Sequence, residues 1–151
     1  MSNEAQVHCR KIDVVTVKGS AYPIPIYTHD TFQNQEFPHL EAPKFTDLDV
    51  VDILKRQAEN YDVSLWENDK DLIQLRCLST PSFRKSFQKG LENYLSGNWT
   101  QSRDYLREAD KMMHGGDTQG DGPSQTLLKY MEAREWKCPD DWKGFRPLTS
   151  K

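Results

Sequence analysis

Cysteine is scarce: Cys9, Cys77 and Cys138 stand far apart and are odd in number. This excludes a disulfide scaffold and reads as reduced, intracellular thiols, so a cytoplasmic protein is expected. No C-x-x-C or H-x-x-x-H pair occurs, which removes the spacings of a structural zinc site. No window approaches the ~20 apolar residues of a membrane span. Residues 1–6 are polar with no apolar stretch after them, so no secretory leader is expected. An excess of one charge sign is also missing. Lys and Arg number 20 against 23 acidic residues, with a formal net charge of −3. Steering toward nucleic acid or an anionic membrane is therefore not expected. Glycine, cysteine and aromatic counts are ordinary, which excludes collagen-like and fully disordered chains.

What is there is modest. The chain has 151 residues and 36% hydrophobic content, with a mean hydropathy of −0.84. That suits one domain of ordinary size, or a small domain with long tails. It is short for most self-sufficient nucleotide-processing enzymes.

Residues 7–28 read as a β-hairpin. VHCRKIDVVTVKG is dense in β-branched residues, with Val15 and Val17 on one face and Ile12, Val14 and Thr16 on the other. Gly19-Ser20 supplies the turn. Two prolines in YPIPIYT place the second strand at a sheet edge. An isolated hairpin is marginal in water, and no further strand is evident. Residues 31–45 read as an extended linker with scattered aromatics. Helices follow: one near 47–60 capped by Thr46, and a short one capped by Asp69. Thr80-Pro81 then starts a helix with Phe83, Phe87, Leu91 and Tyr94 on one face. Gly97 ends it as a left-handed cap, and Asn98 opens a helix with Trp99, Ser102, Leu106, Ala109 and Met113 on one face. Pro123 opens the last helix. The expected fold is mainly α with a short N-terminal β-hairpin (α+β), built of antiparallel helical hairpins without a solenoid. Its expected parts are a hairpin at 1–30, a linker at 31–45, a helical domain at 46–135 and an irregular tail at 136–151.

Catalytic chemistry finds little footing. The loop at 114–122 (HGGDTQGDG) follows a helix and lacks G-x-x-x-x-G-K-[ST], so it is no P-loop. It is too short for an EF-hand and reads as a solvated connector. A Cys/His pair would need His8, His29, His39 or His114 near Cys9, Cys77 or Cys138 in space, and inert buried thiols are expected instead; no carboxylate pair sits in an apolar setting. No catalytic residue, metal site or cofactor is expected. The tail phrase Trp142-Lys-Gly-Phe145-Arg146-Pro147 must dock to be ordered, on its own domain or on a partner.

Two resemblances add to this. The pair of helices at 83–113 resembles a single tetratricopeptide-like hairpin, with Gly90 at the close helix contact, Gly97-Asn98-Trp99 at the turn, and Ser102, Leu106 and Ala109 as small, large and small positions. One such unit makes no array. The stretch Arg10-Lys-Ile-Asp13-Val-Val-Thr-Val17-Lys18-Gly19-Ser20, continued by Pro23-Ile-Pro25-Ile26-Tyr27-Thr28, is similar to the closing β-hairpin of class III adenylate/guanylate cyclases. Tyr94-Leu-Ser-Gly97-Asn98-Trp99, Asp121-Gly122-Pro123-Ser124 and Trp142-Lys-Gly144-Phe145-Arg146 resemble the helical extension that follows it in ciliate and related protist cyclases.

The family's metal-binding aspartates, base-recognising residues and Asn/Arg transition-state pair lie upstream of this hairpin and have no counterpart here. Only Lys18 matches a position that can approach the nucleotide phosphates, and one lysine cannot orient metals. The resemblance implies a non-catalytic interaction module. Its hairpin would add to a partner's sheet through Val15, Val17 and Tyr27, and Trp99, Trp142, Phe145 and Arg146 would form a docking surface. The partner implied is a cyclase-like chain or a ciliary complex, with no nucleic acid and no membrane insertion. Two rivals are a small cyclase subunit that donates Lys18, and a regulatory groove along Phe83, Phe87 and Leu91.

Overall fold

Residues 9–19, 22–30, 68, 70–115 and 118–148 are described by the structure, a computed structural model. The chain divides into two compact units, Met1–Asp30 with Leu78–Lys151, and Thr31–Cys77. The expected linker at 31–45 and helix near 47–60 lie outside the described residues. In the second unit the described element is α1, Lys70–Leu75, the short helix expected after Asp69.

The first unit carries β1 (Arg10–Val17), β2 (Ile24–Thr28), α2 (Pro81–Leu95), α3 (Trp99–Met112), β3 (His114–Gly115), β4 (Thr118–Gln119), α4 (Gly122–Glu132) and β5 (Arg146–Leu148). It is a mixed, mainly helical α+β unit, as the patterns predict. The hairpin and the helices belong to one unit, so the expected separation of a 1–30 domain from a helical domain does not hold. The main sheet has the order β2-β1-β5. Proline-bearing β2 lies at its edge, as expected. β5, like the two-residue β3 and β4, is a strand that periodicity missed. It pairs parallel with β1, Val15 opposite Arg146 and Val17 opposite Leu148.

A bulge decides which residues of β1 face inward. Arg10 and Asp13 are three apart and would point to opposite sides of a regular strand. Between them the register slips, Lys11 facing Tyr27 and Asp13 facing Ile26. Ile12 is the extra residue, and both charged side chains end up buried.

The helices follow their local signals. Thr80 Oγ1 accepts from the Phe83 N–H at 3.2 Å and Pro81 occupies the first turn of α2. Gly97 takes φ +87° at the turn into α3. Ser86 bonds the Tyr105 carbonyl, and Ser102 Oγ donates to the Gly90 carbonyl at 2.8 Å, so α2 and α3 run antiparallel in close contact. A Cβ at Gly90 would lie 2.7 Å from two Leu106 side-chain carbons and 3.2 Å from its backbone nitrogen. Phe83, Phe87, Leu91 and Tyr94 of α2 meet Trp99, Leu106 and Ala109 of α3 and Leu127 and Met131 of α4 in one core.

Candidate functional site

Arg10 is the centre of the buried charge. Its guanidinium donates to Asp30 at 2.8–3.2 Å and to Asp121 at 2.7 and 3.0 Å. It lies over the rings of Phe87 and Phe83, 4.1 and 4.7 Å from their centroids. Burial opposes its charge, but the hydrogen bonds to Asp121 and Asp30 outweigh that and hold its pKa above the ordinary arginine value. Asp121 also caps α4, accepting from the Ser124 N–H at 2.9 Å. Its own N–H donates to Asp110 Oδ1. The loop read as a solvated connector therefore contains a residue only 3% exposed. Asp30 further accepts from Ser79 Oγ, and Ser79 Oγ accepts from Arg84 Nε at 2.9 Å. The second pair joins Asp13 to Arg146, whose Nε and Nη2 donate to Asp13 Oδ2 at 3.0 and 2.8 Å.

Four rings close the other end of the core. Tyr94 stacks on Trp99 at 6.0 Å, and Trp142 stands edge-on to both, at 5.1 and 5.4 Å, with Tyr130 completing the box. The indole N–H of Trp142 donates to the Leu95 carbonyl at 3.1 Å. Leu95 is the last residue of α2, so a side chain from the tail satisfies a carbonyl the helix leaves open. The tail is thus ordered on its own unit. Burial, with Asp13 second, pushes the Tyr94 phenol above its ordinary value, and its hydroxyl is buried with no hydrogen-bond partner among the described residues. Burial and the nearby Asp140 push the Cys138 thiol up, which favours its protonated form.

One end of the sheet stays uncovered. Val15 is 1% exposed, but Val17, on the same face of β1, is 41% exposed. Ile24 faces Val15, and Leu148 faces Val17. They are 44% and 41% exposed. Paired residues share a face. The core face of the sheet is therefore open at the Val17–Leu148 rung and at the β2 end of the Val15 rung.

The expected site residues divide accordingly. Val15 and Trp99 are buried in the core, which corrects their expected place on a partner surface. Trp142 packs in the aromatic box and Arg146 is spent on Asp13, so both serve the unit itself. Phe145 and Tyr27 are half-buried; Lys18 is exposed. The groove expected along Phe83, Phe87 and Leu91 is closed, since both phenylalanines are fully buried beneath Arg10. Beside it remains a recess of about 290 Å³ rimmed by Lys11, Arg84, Gln88 and Glu92. Addition of the hairpin to a partner's sheet is disfavoured as well. β1 is central, and each outer strand carries a proline, Pro25 or Pro147, that lacks a ladder donor. Arg10, Asp13, Asp30 and Asp121 were given no site role from the sequence, because their partners lie far along the chain. Among the described residues no group of His, Cys, Asp or Glu is arranged to hold a metal ion, and no helix is long and apolar enough to cross a membrane. Comparison with protein-family models, curated proteins and solved structures gives no match.

Proposed function

We propose that this chain is a non-catalytic interaction module that docks on a protein partner through the open end of its sheet. The observation that carries the reading is the exposed Val17–Leu148 rung, with Ile24 of the neighbouring Val15 rung beside it, on the same face as buried Val15. Exposing three aliphatic side chains side by side forgoes the burial that each would gain under a cover, roughly 1.5–3 kcal/mol for full burial of one. The fixed charges favour the same reading. Arg10 is matched by Asp30 and Asp121, and Asp13 by Arg146, so these groups hold the fold together.

The resemblance to protist cyclases names the first partner to seek, a cyclase-like chain, with cilia as the first place to look. The test is the double substitution Val17→Asp with Leu148→Asp in the full chain. Both sites are exposed, so far-UV circular dichroism should be unchanged while the complex isolated from the native source is lost. Retention of the complex by the folded double variant would remove this surface from consideration. A second reading rests on Lys18, exposed directly after β1 beside Val17. In it the chain is a small cyclase subunit that lends Lys18 to a shared nucleotide site. Co-purification of a longer chain bearing metal-binding aspartates, with cyclase activity that falls on Lys18→Ala, would favour it.

A further inference from the structure

Ser79 occupies an unusual position for a hydroxyl. It donates to Asp30 Oδ2 at 3.2 Å across 49 residues of sequence, and it accepts from Arg84 Nε at 2.9 Å. The carboxylate it touches is one of the two that hold Arg10. Ser79 is half-buried and lies in the connection between α1 and α2, where no regular helix or strand encloses it. Arg76 precedes it by three positions, in Arg76-Cys-Leu-Ser79. A basic residue at that distance is a charge pattern that one class of protein kinases reads in its substrates.

We propose that Ser79 is a phosphate-acceptor site whose modification releases Asp30 from Arg10. The donor is a nucleoside triphosphate and the catalyst a basophilic protein kinase. The bond from Ser79 Oγ to the γ-phosphorus forms, the bond from that phosphorus to the β–γ bridging oxygen breaks, and the hydroxyl proton passes to the kinase base, leaving the nucleoside diphosphate. The consequence follows from charge. A hydroxyl that donates to Asp30 becomes a group of about −1.5 to −2 charge with acceptor oxygens only. The donor to Asp30 is lost and like charges meet at hydrogen-bond distance. Two guanidiniums are within reach to reorganise, since Arg84 already binds Ser79 and Arg10 already binds Asp30. Both can turn to the phosphate, which is the stronger bidentate partner. Asp30 is then left without its cation, and the C-terminal end of β2, which leads into it, loosens. Thr80, next in sequence, has Cys77 and not a basic residue three positions before it.

This goes beyond the docking surface proposed above and is tested without a partner. The full chain is incubated with ATP and a kinase that requires arginine three residues before its acceptor. The site is located by peptide mapping and hydrogen exchange is followed along β2. Phosphate on Ser79, absent in Ser79→Ala and slowed in Arg76→Ala, is expected. Exchange at Tyr27 and Thr28 should rise about ten- to a hundredfold, the effect of losing a charge-assisted hydrogen bond. Ser79→Asp should raise it in the same direction by less. Phosphate on Thr80 or Ser82 instead, no phosphate at all on the folded chain, or phosphate on Ser79 with unchanged exchange in β2 would each overturn the proposal.

Discussion

Arg10 and Asp121 lie 111 residues apart and share two hydrogen bonds, of 2.7 and 3.0 Å. Asp121 serves α4 at the same time as its N-cap. The two roles separate by substitution. Asp121→Asn keeps a good cap but loses the charge, and should cost about 2 kcal/mol as a charged hydrogen bond is lost. Asp121→Ala loses the cap too and should cost about 1 kcal/mol more. Urea unfolding of the full chain reads both. Equal losses for Asn and Ala would mean that the cap contributes nothing.

Tyr94→Phe should leave the chain as stable or make it up to about 1 kcal/mol more stable at neutral pH. The hydroxyl removed is buried and unpartnered, and an unsatisfied buried polar group is a penalty. The same substitution should change the alkaline limb. The unfolded phenol ionises near its ordinary 10.0, while burial keeps the folded one protonated well above that. Above this pH the unfolded state holds fewer protons than the native state, so stability falls as pH rises; below it the contribution is complete. Unfolding followed from pH 9 upward should show a shallower decline in the Phe variant. Parallel declines in both proteins would assign the loss to other groups.

Gly90→Ala should destabilise the unit even though alanine is the better helix former by about 1 kcal/mol. The added methyl would approach both Leu106 side-chain carbons and the α3 backbone, and overpacking of this kind costs about 1–3 kcal/mol. The net loss expected is up to about 2 kcal/mol. A stabilised Ala variant in thermal unfolding would show that α3 moves away freely.

Trp142→Phe and Trp142→Ala dissect the tail. Phe keeps an aromatic ring in the box but loses the donor to the Leu95 carbonyl, so about 1–2 kcal/mol should be lost. Ala removes the ring as well and should cost about 3 kcal/mol. It should also weaken the aromatic signal in near-UV circular dichroism, because Tyr94 and Trp99 lose an edge-on neighbour. An unchanged near-UV spectrum in the Ala variant would mean that the tail does not order the box.

What the sequence made legible was local. Thr80-Pro81, Gly97 and the prolines of β2 act through their own backbone, and each marked its element correctly. Ser102, Leu106 and Ala109 were legible through helical spacing, which fixes a face without naming its partner, whereas Gly90 was marked only by the resemblance to a tetratricopeptide-like hairpin. β5 was not legible, because three residues containing a proline have no periodicity to read. The bulge at Ile12 reversed the alternation of β1 halfway, so a period of two set Ile12 and Val15 on opposite faces although both are turned toward the core. Asp121 looked solvated among glycines because its partner, Arg10, is at the other end of the unit. The expected partner surface failed where it assigned aromatics outward that the core needed, Trp99 above all.

The pairing of β1 with β5 has a mechanical consequence. The two strands are parallel, so the chain enters β1 at one end of the ladder and leaves β5 at the other. Tension between those two points would not peel the strands apart one rung at a time. It would load the Val15–Arg146 to Val17–Leu148 rungs together, in shear, with the Asp13–Arg146 ion pair beside them sharing the load. A module tethered on both sides would resist pulling along that direction more than its small sheet suggests.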